Sequence, residues 1–375
     1  MKKKTIMFDA CMDQSWIGGL YYIRSIVYQC LESEKITENY RLLVLVNDVS
    51  MPLFKNFGNK IIMKQLHADK MKKLFKITYF MKKYKVKWYY NLPFGKQGSL
   101  FKKHGIYWIP DFQHLYYPQF FSEEERGKRD EIYSRIANDN RPLVLSSEAA
   151  FHDFQTKFPD FKCPVEIVHF VSYIENEIGA LSEQFVCTVK HKYHLDSKYF
   201  YIPNQFWQHK NHIVILKAIR YCVEHNVLSD YEFVFTGELK DNRNANYFQQ
   251  LQQLIQQVEV QRRVKILGFL TREEQLAIMK AATLIIQPSL FEGWGTVVED
   301  AKVLDKTIVL SDIPVHHEQK NEKCFLFSPD DEENLIAVIK NALGNCREES
   351  VDDGLERMQA EAKQYVKGLE NIIID

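Results

Sequence analysis

Twice along this chain, short and nearly continuous apolar runs alternate with longer stretches whose apolar residues recur at helical spacing. In the first block the runs are TIMFDA (5–10), RLLVLVND (41–48), VKWYYNLP (86–93), GIYWIPD (105–111), RPLVLSSE (141–148) and PVEIVHF (164–170). A helical pattern opened by two glycines, GGLYYIRSIVYQCLES (18–33), follows the first of them. In the second block KYFYIPN (198–204), YEFVFTGE (231–238), RVKILGF (263–269), TLIIQPS (283–289) and KTIVLSD (306–312) alternate with helical patterns at 209–225, 245–260, 271–282, 297–305 and 330–345. A strand with one wet face alternates apolar and polar residues. Runs that are apolar at nearly every position instead suit strands covered on both faces, as in a parallel sheet flanked by helices. The two blocks therefore predict an α/β fold of two Rossmann-like, doubly wound domains. Ligands of such sheets bind at the carboxyl ends of the strands, so the expected site is the cleft between the domains.

The expected organisation is an N-terminal domain over 1–175, a linker over 176–197 with no strong pattern, and a C-terminal domain over 198–355. A last helix, about 351 to 370, closes the chain, and 356–375 can pack back on the N-terminal domain. At 375 residues the chain has room for about two domains. Lys plus Arg equals Asp plus Glu at 49 each, so net charge points to no polyanionic partner. Seven cysteines, an odd number with no C-x-x-C pair, read as free thiols in a reducing compartment. The start, MKKKTIMFDA, is not a signal peptide, because its apolar run stops at Asp9. No run of about 18 apolar residues is present to span a membrane. These features predict a cytoplasmic protein.

The most informative stretch is PSLFEGWGTVVEDAK (288–302), at a strand-to-helix junction. A helix N-terminus there offers free N–H groups and a positive dipole end, which suit a phosphate. Gly293 and Gly295 allow a tight turn and close approach of backbone to ligand. Glu292 and Asp300 are acceptors for hydroxyl donors. Phosphate at the amides and carboxylates toward hydroxyl-bearing rings describe a nucleotide sugar. The same residues also fit a glycine-rich loop with acids placed favourably at a helix start.

PSLFEGWGTVVEDAKVLDKTIVLSDIPVHHEQ resembles the signature of retaining GT-B glycosyltransferases of family 4, the group 1 glycosyltransferases, P-S-x-x-E-G-F-G-x-x-x-x-E-A. Glu292 matches the first glutamate, which the resemblance assigns to the donor hexose. Asp300 stands at the second, which implies contact with the ribose hydroxyls. Neighbouring Glu299 projects about 100° away around the helix and is the less favoured choice. In IPNQFWQHKNH (202–212), Lys210 matches the lysine of the donor diphosphate, and Gln205 replaces the usual arginine. VFTGE (234–238), with Gly237, and KILGFLTREEQ (265–275), with Leu267 at the base-receiving loop, match the next strands. Thr271 and Glu274 read as a capping box. Trp294 and Thr296 complete the donor-site candidates. WIGGLYYI (16–23) resembles the N-terminal glycine loop, placing Gly18 and Gly19 against phosphates or acceptor. In GIYWIPDFQHLYYP (105–118), Asp111 matches the Asp of an H-D pair, Pro110 stands where its His would be, and His114 lies three residues on as a candidate imidazole. The resemblance is to bacterial members that build surface polysaccharides.

It implies retaining transfer of a sugar from a nucleoside diphosphate to an acceptor hydroxyl of a glycan or lipid-linked sugar, in O-antigen, capsule or related synthesis. Lys210, the Gly18 and Gly19 amides and the amides of 293–296 would stabilise the leaving diphosphate. Retention without a placed nucleophile implies front-face attack. No cofactor or metal is expected. PDD (329–331) reads as a helix cap, and His316 and His317 read as loop residues, since adjacent histidines lack the usual ligand spacing. Glu318 matches a family glutamate and equally fits an exposed acid or cap.

KMKKLFKITYFMKKYKVKWYY (70–90) carries eight lysines and no acid. It fits an anionic membrane surface, with peripheral placement on the inner face, and equally fits a lysine face over an aromatic core. No nucleic-acid motif accompanies the charge. The alternative to an enzyme is a catalytically silent nucleotide-sugar-binding subunit on the same scaffold. A dinucleotide oxidoreductase ranks far lower, because no G-x-G-x-x-G follows a strand.

Overall fold

The computed structural model describes residues 3–12, 16–66, 70–90, 104–239, 241, 244, 246–256, 258–346 and 349–374. The end of the run VKWYYNLP, at 91–93, lies outside the described residues. The chain divides into two compact units. Unit 1 comprises Met1–Pro118, Ser122–Tyr173 and Met358–Asp375, and unit 2 comprises Gln119–Phe121 and Ile174–Arg357.

Unit 1 holds strands β1 (Lys4–Asp9), β2 (Tyr40–Val46), β3 (Ile62–Gln65), β4 (Val86–Tyr90), β5 (Gly105–Ile109), β6 (Leu143–Leu145) and β7 (Val165–Ile167). They form one parallel sheet in the order β3-β2-β1-β4-β5-β6-β7. Unit 2 holds β8 (Lys198–Pro203), β9 (Tyr231–Thr236), β10 (Val264–Ile266), β11 (Leu284–Gln287), β12 (Ile308–Ser311) and β13 (Cys324–Phe327). These are parallel in the order β10-β9-β8-β11-β12-β13. In each sheet the order reverses once, between β1 and β4 and between β8 and β11. That reversal leaves an open crevice at the carboxyl ends of the two strands that flank it.

The continuous apolar runs have the burial they predict. All four residues of β11 and of β12 are buried, as are five of the six in β8. In unit 2, Phe200 and Ile202 of β8 belong to one cluster with Ile215 and Ile219 of the helix His212–Glu224 and Ile336 and Ile339 of the helix Glu332–Gly344. Each such side chain contributes about 1.5–3 kcal/mol when fully buried. Thr271 caps the helix Arg272–Ala281 with Glu274 in the expected box, and Asp331 caps the helix Glu332–Gly344 through the Asn334 N–H.

Two expectations need correction. The segment read as a linker, 176–197, contains most of the helix Glu175–Gly179 and all of Glu183–Lys192, and it belongs to unit 2. Ser182 caps the second helix, Lys192 pairs with Glu274 at 2.5 Å, and Lys280 Nζ donates to the Leu181 carbonyl. The final helix runs from Val351 to Ile374, with its first residues in unit 2 and Met358 onward in unit 1. Gly354 is obligatory there, since a Cβ would lie 2.2 Å from the Val303 carbonyl oxygen. Further on, Glu370 accepts from Ser33 and Lys35, and the Ile373 carbonyl accepts from Tyr40 and Trp88. Finally, His316 and His317 lie on a helix, Pro314–Gln319, not a loop.

Among the described residues no helix is long and apolar enough to cross a membrane. Among the described residues no disulfide joins any of the seven cysteines.

Candidate functional site

Unit 2 gathers its polar side chains at the reversal between β8 and β11. The loop after β8 leads through the single turn Gln208–Lys210, and Asn211 takes a left-handed φ of 53° before the helix His212–Glu224 begins. The loop after β11 leads to the helix Thr296–Val303. These two loops bring Lys210 Nζ within 2.5 Å of Glu292 Oε1. The same carboxylate oxygen accepts from Ser289 Oγ at 2.6 Å and from Gln287 Nε2 at 2.9 Å. Gln287 is itself held by Asn204 Nδ2 at 2.9 Å. Glu292 is thus braced from both strands. Its side chain is 10 % exposed and that of Lys210 15 %, so the pair sits in a largely dry recess that still reaches the surface. Burial pushes the Glu292 pKa up, but the Lys210 and His209 charges and the hydrogen bonds outweigh it and hold the carboxyl at about 2. At neutral pH this is a fixed anion–cation pair.

Asp300 lies elsewhere. On the buried side of the helix Thr296–Val303, it takes the Arg272 guanidinium in a two-pronged pair, at 2.7 Å and 2.5 Å. Glu299 is equally buried and accepts from Lys302 at 3.0 Å and Gln319 Nε2 at 2.8 Å. Arg272 was overlooked in the sequence because it sits inside the capping box and looked like part of a helix start. Gln319 was overlooked because a lone glutamine carries no signal.

Gln319 also alters the role of a glycine. Its side-chain amide accepts from the Gly295 N–H and donates to the Gly295 carbonyl, both at 3.0 Å. A Cβ on residue 295 would lie 3.0 Å from Gln319 Oε1. Gly295 therefore serves this brace, and its amide, expected to face a phosphate, is already bonded. The glycine at 237 has a similar structural reason. Its φ is 137°, and a Cβ would meet the Asn204 carbonyl oxygen at 2.4 Å. The Leu267 N–H bonds the Phe235 carbonyl, and the Gly268 carbonyl accepts from Gly237. Phe269, next in that loop, is 62 % exposed. Trp294 is buried, Gly293 and Thr296 are half-buried, and Gln205, also half-buried, has its Oε1 without a partner among the described residues.

His316 is fully buried, His317 faces solvent and lies 2.5 Å from Asp312, and Glu318 is half-buried. Among the described residues no group of three or more His, Cys, Asp or Glu is arranged to hold a metal.

The unit 1 candidates have their own settings. Gly18 and Gly19 lie in the first turn of the helix Ile17–Glu32, not in a loop. Gly19 is needed because a Cβ there would come within 2.8 Å of the Trp16 ring, which stacks on Trp108 at 5.3 Å. Asp111 accepts from the Gln113 N–H at 3.0 Å. His114 is buried edge-on to Tyr133, with Nε2 3.4 Å from Asp130. Burial lowers its pKa, and Asp130 only partly opposes this.

Sequence similarity to known proteins falls mainly in the second unit. Residues 189–364 match the family "Glycosyl transferases group 1". That match covers a little under half of the chain. The chain is 27 % identical over 168 residues to the O-antigen chain mannosyltransferase RfbU of Salmonella typhimurium, covering 44 % of this chain and 43 % of that protein. It is 27 % identical over 116 residues to the UDP-Gal:alpha-D-GlcNAc-diphosphoundecaprenol alpha-1,3-galactosyltransferase of Escherichia coli, 30 % of this chain and 28 % of that one. The alignments thus span less than half of either relative. Among solved structures, Anabaena Alr3699/HepE in complex with UDP and glucose superposes with a TM-score of 0.65 at 13 % identity, over 97 % of this chain and 95 % of that one. WaaG, a glycosyltransferase involved in lipopolysaccharide biosynthesis, gives 0.59 at 12 % identity, over 96 % and 95 %. The fold is that of the GT-B glycosyltransferases.

Both halves of the Lys210–Glu292 pair, the Arg272–Asp300 pair and the Gln319 brace lie inside the matched segment.

Proposed function

We propose that the protein is a retaining, metal-independent glycosyltransferase that moves a sugar from a nucleoside diphosphate to an acceptor hydroxyl in surface-glycan synthesis. The observation that carries the reading is Glu292, an ionised carboxylate bonded by three side chains, Lys210, Gln287 and Ser289, at the sheet's reversal point, with Lys210 as its cation. A diphosphate entering that recess meets the Lys210 ammonium, and the developing charge of the leaving group is stabilised there without reorganisation. Glu292 then orients hydroxyls of the transferred sugar. Asp300, held by Arg272, stands at the position for the ribose hydroxyls, and the exposed Phe269 ring offers a face to a base. The mannosyl- and galactosyltransferase relatives support a hexose and a lipid-linked or glycan acceptor.

The helix Lys70–Lys83 supports peripheral membrane placement in the cytoplasm. Leu74, Phe75 and Tyr79 are 55 %, 74 % and 55 % exposed, with Lys76, Lys82 and Lys83 exposed around them. Aromatic and lysine side chains mixed on one outward surface suit an anionic bilayer.

The test is turnover. Purified protein is given UDP- and GDP-hexoses with and without EDTA, and sugar release or transfer is followed. Release from one donor, unaffected by EDTA and absent in Glu292→Gln, is expected. Tight donor binding with no release or transfer to any acceptor fraction would instead mark a silent binding subunit.

A further inference from the structure

One buried ring, joined to Glu292 through Ser311 and Ser289, has no role in the reading above. His316 follows β12 and is fully buried. Its Nδ1 lies 2.7 Å from the Ser311 carbonyl oxygen, which can only accept, so Nδ1 carries the proton. Burial lowers the ring's pKa to about 4, so it is neutral at physiological pH. A neutral imidazole protonated on Nδ1 has a bare lone pair on Nε2. That atom is buried and meets no hydrogen-bond partner among the described residues. An unmet buried acceptor is costly, and an apolar ring of the same size would avoid the cost.

The ring belongs to the same frame as the pair. Ser311 Oγ donates to the Ser289 carbonyl at 2.5 Å, and Ser289 Oγ donates to Glu292. Glu292 and Lys210 both act on the ring electrostatically. Three kinds of ligand suit a bare lone pair. A phosphate is not among them, because an ionised phosphate also only accepts. A metal ion is one, but no second and third ligating side chains gather around it among the described residues. An amino group of a base and a sugar hydroxyl are the others, and Glu292 alongside favours the hydroxyl.

We infer that His316 is a specificity-determining residue that touches the donor, its Nε2 accepting a hydrogen bond from a hydroxyl of the transferred sugar beside Glu292. This rests on the proposed donor site.

Two variants separate the ring's two nitrogens. His316→Asn places an amide N–H near Nδ1, keeps the bond to Ser311 and removes the tip acceptor. His316→Gln reaches the tip position with an amide oxygen. Affinities for UDP, GDP, UDP-glucose, UDP-galactose, UDP-N-acetylglucosamine and GDP-mannose are measured by calorimetry, with melting as the check on folding. For the conjugate that wild type binds, His316→Asn should lose about tenfold and His316→Gln about threefold or less, while the free diphosphate is held equally by all three. A purely structural ring predicts the reverse order, since Asn retains the anchor, and that order overturns the inference. Equal loss of free diphosphate and conjugate also overturns it, placing the ring at the base or phosphates. If wild type binds none of the six, the donor site fails and this role with it. If His316→Asn does not fold, monodeoxy forms of the bound conjugate are compared on wild type and His316→Gln. One form must show a loss on wild type that shrinks in the variant, and the absence of such a form overturns the inference.

Discussion

Replacing Glu292 with Gln removes a charge that the fold holds firmly. The carboxyl is depressed from 4.5 to about 2, so the folded state favours its ionised form by about 3 kcal/mol. The side chain is only 10 % exposed, so little of this is screened. A carboxyl whose folded pKa lies below its unfolded value stabilises the fold above the unfolded value. That contribution is lost as pH falls through the folded value. At pH 7 the variant should therefore unfold about 3 kcal/mol more easily, with Lys210 left facing a neutral amide. For a unit of this size that is about 6–12 °C in melting temperature. The gap between wild type and variant should narrow as pH is lowered from about 4.5 toward about 2. Circular dichroism melts from pH 7 to pH 3 measure both features. A gap that stays constant over that range, or a variant as stable as wild type at pH 7, would refute the linkage between this pair and the fold.

Asp300→Asn and Glu299→Gln should each cost about 3 kcal/mol in stability, because both break buried ion pairs. Only Asp300→Asn should weaken nucleoside diphosphate binding, by about tenfold in titration calorimetry; greater damage from Glu299→Gln would put the ribose contact on the neighbouring acid. Gly237→Ala should cost more than about 3 kcal/mol in a denaturant melt, given a contact of 2.4 Å and a φ of 137°. Gly268→Ala, with φ 73° and open space, should cost about 1 kcal/mol. Wild type should sediment with vesicles containing phosphatidylglycerol at low salt but not with neutral vesicles. A Phe75→Ser, Tyr79→Ser double variant should lose about tenfold, and equal sedimentation of both proteins would remove that surface from the account.

Much of this architecture is visible in the sequence because strands covered on both faces must be apolar at almost every position. β1, β2, β8, β11 and β12 announce themselves that way. β3 and β13 are edge strands in which most residues are only half-buried; IMKQ lacks the continuous signal, and CFLF is apolar throughout but only four residues long. The helices inside the supposed linker escaped notice because few of their residues are buried, Val189 among them. At the site, Glu292 and Lys210 are legible because loop carboxylates and cations at strand ends form a recognisable pattern. Arg272 on Asp300 and Gln319 on Gly295 are not. Each pairing joins residues more than twenty positions apart, and only the packing of the helix Thr296–Val303 brings them together. His316 was misjudged for a related reason, since spacing can argue against a metal site but cannot show which ring nitrogen is already bonded.

The central claim is a diphosphate site built on Lys210 and Glu292, and its most direct test is thermal stabilisation of the full chain by UDP, GDP and their hexose conjugates without metal. A ligand at a hundred times its dissociation constant adds about 2.7 kcal/mol to the folded state. The account predicts a rise in melting temperature with one base, greater for the conjugate than for the free diphosphate, and lost in Lys210→Ala. A well-folded sample that none of these ligands stabilises, or a rise that persists undiminished in Lys210→Ala, would contradict it.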